Sequence, residues 1–249
     1  MERGMDVQGS VALVTGANRG LGKACAEALL AAGAAKIYAG ARDPRTVTDR
    51  RLTPVRLDVT NVDDIAAAAE RCADADLLVN NAGIMLATPI LDPGSEAALR
   101  AEMEVNVFGM LAMARAFAPI LARNGGGAIV NMLSVVSWHI YPFNATYGAS
   151  KHAALAVTDA LRVQLKAQGT RVVGVYAGFL DTDMAARVDG PKTAPLHVAL
   201  RMLDGLRTGA DHVFGDAYAE RMRAAYLADP AAFAAGMQRL WDEGRAWSS

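Results

Sequence analysis

Short apolar runs rich in β-branched residues alternate along this chain with longer alanine-rich stretches, and no other feature constrains the fold as much. The runs over 11–15, 36–39, 53–57, 76–79, 128–132 and 171–176 read as strands. The stretches over 21–32, 66–72, 96–123 and 146–168 read as helices. The strands are apolar throughout instead of alternating with polar residues, so both faces of their sheet must be covered. Strand–helix–strand units with right-handed crossovers make that sheet parallel. The expected fold is therefore α/β: a Rossmann-type doubly wound parallel sheet of about seven strands, flanked by helices on both faces. The last quarter adds a helix near 199–206, a short strand over 212–214 and C-terminal helices over about 216–244. Gly190, Pro191 and Pro195 mark a loop over about 185–199 with the composition of a lid. No linker composition interrupts the chain, so 1–249 reads as a single domain.

Several function classes are excluded at this level. Formal net charge is -1, with no basic excess to neutralise phosphates, so nucleic acid is not the expected partner. No stretch reaches the roughly 18 uninterrupted apolar residues of a membrane span, and Arg115 and Pro119 break the best run, so no membrane association is expected. The opening Met1-Glu2-Arg3-Gly4-Met5-Asp6 lacks a signal-peptide core. Cys25 and Cys72 make no disulfide framework, which fits a reduced, cytoplasmic setting. His139, His152, His197 and His212 show no ligand spacing, so no metal site is expected.

The segment Thr15-Gly16-Ala17-Asn18-Arg19-Gly20-Leu21-Gly22 joins the first strand to the first helix. Its glycines allow close backbone approach. The helix start presents free N–H groups and the positive end of a dipole to a pyrophosphate. Cofactor choice turns on the end of the second strand, where an acidic residue would bind ribose hydroxyls. Ala41 holds that position and Arg42 follows. A guanidinium matches phosphate oxygens, so Arg42, with Arg19 and more weakly Arg45, points to NADP(H) over NAD(H).

Tyr147-Gly-Ala-Ser-Lys151 places a phenol and an ammonium one helical turn apart on one face. A nearby ammonium favours phenolate and lowers a pKa that is ordinarily near 10. A proton donor works best with its pKa near the operating pH. Ser134 ends the fifth strand, where open α/β sheets bind ligands, and its hydroxyl is suited to a substrate oxygen. Asn80-Asn81-Ala82-Gly83 ends the fourth strand in the same way. Asn106 sits inside the long helix, where asparagine is a poor helix former and needs a reason.

Taken together these motifs resemble the short-chain dehydrogenase/reductase family, over about 11–184. The resemblance implies a proton-transfer tetrad of Asn106, Ser134, Tyr147 and Lys151. Tyr147 would be the acid or base, Ser134 would orient the carbonyl, and Asn106 would hold a water of the relay. Lys151 would hold the nicotinamide ribose and lower the Tyr147 pKa. It further implies cofactor contacts from Thr15, Gly16, Asn18, Arg19, Gly20, Leu21 and Gly22, from Asp58 and Val59 at the adenine, and from Asn81, Ala82 and Gly83. Asn18, Arg19 and Arg42 look like those of NADP-preferring members. Ala177-Gly178 stands where the family usually has Pro-Gly, and Thr182 matches the position that binds the carboxamide. The chain end, Gly215-Asp216-Ala217-Tyr218 followed by helix, departs from the family's glycine-rich finish.

Residues following the strand ends are expected to line a substrate pocket: Ile84, Met85, Val135, Trp138, His139, Tyr141, Phe143, Phe179 and Met184. Most are apolar or aromatic, which suits a ketone or aldehyde with a hydrophobic body, or the matching secondary alcohol. The competing expectations are an NADP(H)-binding sensor or scaffold without turnover, and an isomerase or dehydratase using the same site. A small-molecule substrate and a homo-oligomer, dimer or tetramer with monomer as the alternative, complete the expected partners.

Overall fold

The computed structural model describes residues 4–244. Residues 1–3 and 245–249 lie outside them, and with them the two ends of the domain expected over 1–249 and the first three residues of the opening segment. The strands are β1 (Val11–Thr15), β2 (Lys36–Ala41), β3 (Thr53–Arg56), β4 (Leu77–Asn80), β5 (Gly127–Ser134), β6 (Thr170–Ala177) and β7 (His212–Phe214). They form one seven-stranded sheet in the order β3-β2-β1-β4-β5-β6-β7. Every pairing is parallel. The strand order reverses between β1 and β4, which opens a crevice at the carboxyl ends of those strands.

Side chains alternate across each strand and fill two separate cores. Ala12 and Val14 of β1 join Leu77 and Val79 of β4 and Val130 of β5 on one face. That face is covered by α1 (Gly20–Ala31) and α6 (Pro195–Thr208), the latter through Val198, Met202 and Leu206. Leu13, Leu78 and Ile129 point the other way, toward α2 (Val62–Arg71), α4 (Met110–Arg123) and α5 (Ala145–Leu165). This two-sided burial is the reason the strand sequences are apolar throughout.

Local signals set the helix ends. Asn61 caps α2 by accepting from the N–H groups of Asp63 and Asp64, with both acids in the first turn and Arg71 in the last. The long helix expected over 96–123 is continuous but not uniform. It runs as α3 (Ser95–Met103), a π-helical turn over Glu104–Gly109, and α4. The wide turn lies against the segment after β3, where a Cβ on Gly109 would meet Val59 Cγ2 at 2.8 Å. Single π turns mark functional sites more often than chance.

Two expectations change here. The span Ser95–Arg123 reaches a mean hydropathy of 1.6 over an 18-residue window, long and apolar enough by composition to cross a membrane, with 50% of that window buried in the fold. A search for an uninterrupted run missed it because Arg115 and Pro119 interrupt the run. Both stand on the exposed side, while Met113, Phe117 and Leu121 pack on the sheet. The lid stretch is also shorter than 185–199, because Pro195 opens α6: its fixed φ and missing N–H suit the first helical position.

Candidate active site

A cleft of about 1120 Å³ follows the carboxyl ends of the strands. One end is built from the loop between β1 and α1. Gly16, Asn18, Arg19, Gly20 and Leu21 line it, whereas Thr15 and Gly22 do not. Thr15 is buried and ties two strand ends together: its Oγ1 accepts from the N–H groups of Asn81 and Ala82, each at 2.9 Å. Asn81 returns the tie by donating Nδ2 to the Thr15 carbonyl at 2.9 Å. A Cβ on Gly22 would collide with the Gly16 carbonyl and Asn81 Nδ2, so this glycine serves close packing behind the loop. Both residues, expected at the cofactor, lie behind the lining of the cleft and support the loop.

The start of α1 is open to an anion. Its N-cap, Arg19, makes no side-chain cap, and no acidic residue occupies the first turn. The first N–H groups and the positive end of the dipole therefore have no side-chain cap among the described residues. At the end of β2, Ala41 is buried and Arg42 is exposed beside Asp58. Arg42 has no carboxylate within ion-pair distance among the described residues. Arg45, by contrast, is held bidentately by Asp43 at 2.9 Å on both contacts. Asp58 accepts from the Thr60 N–H and hydroxyl, bonds that, helped by Arg42 and Arg56, keep its carboxyl below the ordinary range. Val59 lines the cleft next to it, as do Asn81, Ala82 and Gly83. Arg19 does not point toward Arg42. It pairs with Asp183 at 2.8 Å, bridging the glycine loop to the segment after β6, with both side chains largely exposed.

The middle of the cleft carries the candidate acid. Strand β5 ends at Ser134, and α5 begins at Ala145, so Tyr147 and Lys151 fall in its first two turns on one face. Tyr147 and Ser134 line the same wall of the cleft, and the Ser134 hydroxyl donates to the Ala177 carbonyl at 3.4 Å. Lys151 is buried and donates Nζ to the Met132 carbonyl of β5 at 2.8 Å. The expected depression of the phenol does not hold in this structure. Burial is the largest influence and raises the Tyr147 pKa above the ordinary phenol value; the nearby Ser134 hydroxyl lowers it and the charge of Glu102 raises it further. The ammonium is engaged by the Met132 carbonyl and stands 5.6 Å from the ring centroid, so it does not offset burial. Burial also pulls Lys151 down to about 8.

Asn106 lies in the π turn and is buried. Its Oδ1 accepts from the Ile84 N–H at 2.9 Å, and its Nδ2 donates to the Ile84 carbonyl at 2.9 Å and to Ser150 Oγ at 3.0 Å. Ser150 Oγ in turn donates to the Tyr147 carbonyl at 2.8 Å. The side chain thus pins the segment after β4 to α5 under Tyr147; its amide protons are used there and are not offered to a water beside the phenol.

The far end is the apolar part. Met85, Val135, His139, Tyr141, Phe179 and Met184 line it, with Ile84. Gly178 and Thr182 also face the cleft, and the Gly178 N–H donates to Asp216 at 2.8 Å. Two expected pocket residues are elsewhere. Trp138 stacks on Tyr176 at 3.8 Å and is covered by Arg223 at 4.4 Å. The 3₁₀ turn over Val135–Ser137 rotates the chain so that Trp138 falls back on β6. Phe143 packs between Tyr141 and Trp241, outside the lining. In their place the cleft takes Tyr218 and Met222 from α7 (Ala217–Ala228) and Met237 and Leu240 from α8 (Pro230–Asp242). Their i, i+4 and i, i+3 spacings were a visible signal that those helices present an apolar edge.

Comparison with known proteins follows the same outline. Residues 10–192 match the family model described as short chain dehydrogenase. A short chain dehydrogenase from Burkholderia cenocepacia, solved in complex with NADP, is 44% identical with a TM-score of 0.90, over 94% of this chain and 99% of that one. Dehydrogenase/reductase SDR family member 7B of Danio rerio is 33% identical over 214 residues, 77% of this chain and 69% of that protein. An uncharacterized oxidoreductase of Staphylococcus epidermidis is 33% identical over 192 residues, 74% of this chain and 83% of that protein.

Proposed function

The chain belongs to the short chain dehydrogenase family of oxidoreductases, and we propose that within it this protein interconverts a hydrophobic ketone or aldehyde and the matching secondary alcohol with NADP(H). One observation carries the proposal: Ser134, Tyr147 and Lys151 stand together on the wall of the cleft that the open start of α1 also enters. The residues present fit a dinucleotide. The start of α1 offers N–H groups with no side-chain cap, and Asn81, Ala82 and Gly83 form a floor. Arg42, with no acid at the preceding position, favours a 2′-phosphate, and Arg19, in the loop between β1 and α1, lines the same cleft. The Burkholderia cenocepacia relative carries NADP in its crystal, which supports the choice.

When bound, the dinucleotide supplies or accepts the hydride. The chain's own residues manage the proton and the orientation. In reduction, Ser134 Oγ donates a hydrogen bond to the substrate oxygen, and Tyr147 Oη gives it a proton. Burial keeps Tyr147 protonated at neutral pH, so the free enzyme holds the form that reduction needs. Lys151 stays an ammonium through neutral pH and loses its charge as pH rises past about 8. Held by Met132, it braces the wall of β5 and supplies positive charge as the phenol gives up its proton. Asn106 positions that wall through Ile84 and Ser150. Exposed Phe108 and Val163 on the outer helices support association with a second copy of the chain.

The test is a panel of hydrophobic ketones, aldehydes and secondary alcohols, following NADPH absorbance with NADH as control. Stoichiometric NADPH use is the expected result. Many turnovers on catalytic NADP(H) would indicate an isomerase or dehydratase. Tight NADP(H) binding with no turnover on any member would indicate a sensor.

A further inference from the structure

The apolar end of the cleft contains polar atoms that no protein group satisfies. His139 is buried, 6% exposed, and its Nδ1 has no hydrogen-bond partner among the described residues. Asn144, on the same stretch of chain, uses Nδ2 on the Met85 thioether at 3.3 Å and leaves Oδ1 buried without a partner. Exchanging the amide atoms of Asn144 would only move the deficit from oxygen to nitrogen. A buried polar group without a partner is uncommon in native structures, and each such group needs a reason.

The surroundings of His139 supply one. The ring meets Phe233 of α8 edge-on at 4.7 Å and lies 6.3 Å from Tyr226 of α7, and no hydrogen bond joins its Nδ1 to any neighbour among the described residues. Both Phe233 and Tyr226 line a second cavity of about 250 Å³, which shares His139 and Met237 with the main cleft. His139 therefore stands on the boundary between the two spaces, and its χ2 sets which of them a ring nitrogen faces.

We propose that His139 is the specificity-determining residue of the substrate cavity: it reads a second, uncharged hydrogen-bonding group, a hydroxyl or a carbonyl, on the body of the substrate, away from the oxygen that Tyr147 protonates. This rests on the carbonyl–alcohol function proposed above. Burial, assisted by the charge of His152, brings the imidazole down to about 4, so the ring is neutral at physiological pH. A neutral imidazole donates from one nitrogen and accepts at the other, which suits a hydroxyl or carbonyl and gives no ion pair to a carboxylate. An apolar pocket with few convergent polar groups orients its ligand through those groups. A site built around a hydrogen bond rejects the analogue that lacks the partner, because its own polar group is then left buried and unpaired.

The experiment compares acetophenone, phenylacetone and benzylacetone with their para-hydroxy analogues on the NADP(H)-loaded protein. The expected result is a preference in kcat/KM of about tenfold or more for the hydroxylated member at one chain length at least. His139→Phe brings that ratio to about one, and His139→Gln, which keeps a donor and an acceptor, restores part of it. Binding of the same compounds to the NADP-loaded protein is measured by calorimetry alongside. Turnover without any hydroxyl preference, or a preference that survives His139→Phe, overturns the inference while the function stands. Absence of turnover with a hydroxyl preference in binding that His139→Phe removes overturns the function and keeps the inference. Absence of both turnover and preference overturns the two together.

Discussion

At its cofactor end the cleft is made of neighbours in sequence, and at its substrate end of strangers. The glycine loop, the end of β2 and the end of β4 each contribute a short contiguous segment whose backbone does the work. Thr15 and Asn81 lock two of these segments with three short hydrogen bonds. The substrate end takes Met85 from the segment after β4, His139 and Tyr141 from that after β5, Phe179 and Met184 from that after β6, and Met222 and Met237 from two C-terminal helices. It has aromatic and thioether contacts where the cofactor end has backbone bonds. The contrast teaches that main-chain hydrogen bonds fix the first end, whereas side chains from several distant elements shape the second.

The largest test of that division lies at its boundary. Tyr147→Phe is expected to lower kcat by about 10³-fold while NADPH binding, measured by fluorescence titration, is retained. Loss of both together would erase the distinction. Next, His139 makes the substrate end acid-sensitive. Its folded pKa is about 4 against an ordinary 6.5, so between those values the unfolded chain binds the proton more readily. Stability is complete above that window and declines as pH falls through it, by roughly 3 kcal/mol from this ring. Urea unfolding at stepped pH is expected to show His139→Phe with a flatter acid limb. Trp138→Ala sharpens the comparison from the side of the core. It is expected to cost about 2 kcal/mol of stability by the loss of the Tyr176 stack, with little change in KM for a hydrophobic ketone. A large KM effect would return Trp138 to the pocket.

At the cofactor end the expected effects are smaller. Arg42→Ala is expected to weaken NADPH binding about tenfold and leave NADH unchanged, since one charge-assisted contact is removed. Equal weakening of both would end the case for a 2′-phosphate. Asp183→Asn frees Arg19 from an exposed pair worth under about 1 kcal/mol, so NADPH affinity is expected to rise by no more than about fivefold. Unaltered affinity would show that Arg19 does not serve the phosphate.

Some of this was open to inspection in the residues and some was not. The strand pattern, the glycine loop and the helical face shared by Tyr147 and Lys151 are repeat-length properties, readable wherever they occur. Trp138 and Phe143 follow Ser134 closely along the chain but not in the cleft wall, because the 3₁₀ turn over Val135–Ser137 turns Trp138 onto Tyr176 and Phe143 packs on Trp241. Asn106 was visible as an anomaly within a helix, but its bonds to Ile84 and Ser150 depend on where β4 and α5 come to rest. The shift of Tyr147 had the wrong sign because the argument counted a charge one turn away and omitted desolvation.

What the sequence by itself determined is therefore what local physics encodes: period, turn chemistry, and which segments end at the crevice. Only the tertiary structure decided which of Thr15, Gly22 and Gly16 line the cleft, how α7 and α8 close the apolar end, and that His139 Nδ1 is left without a partner among the described residues. The reason is that burial and desolvation are set by every element that surrounds a group. A one-dimensional pattern carries the identity of those elements but not the distances at which they meet.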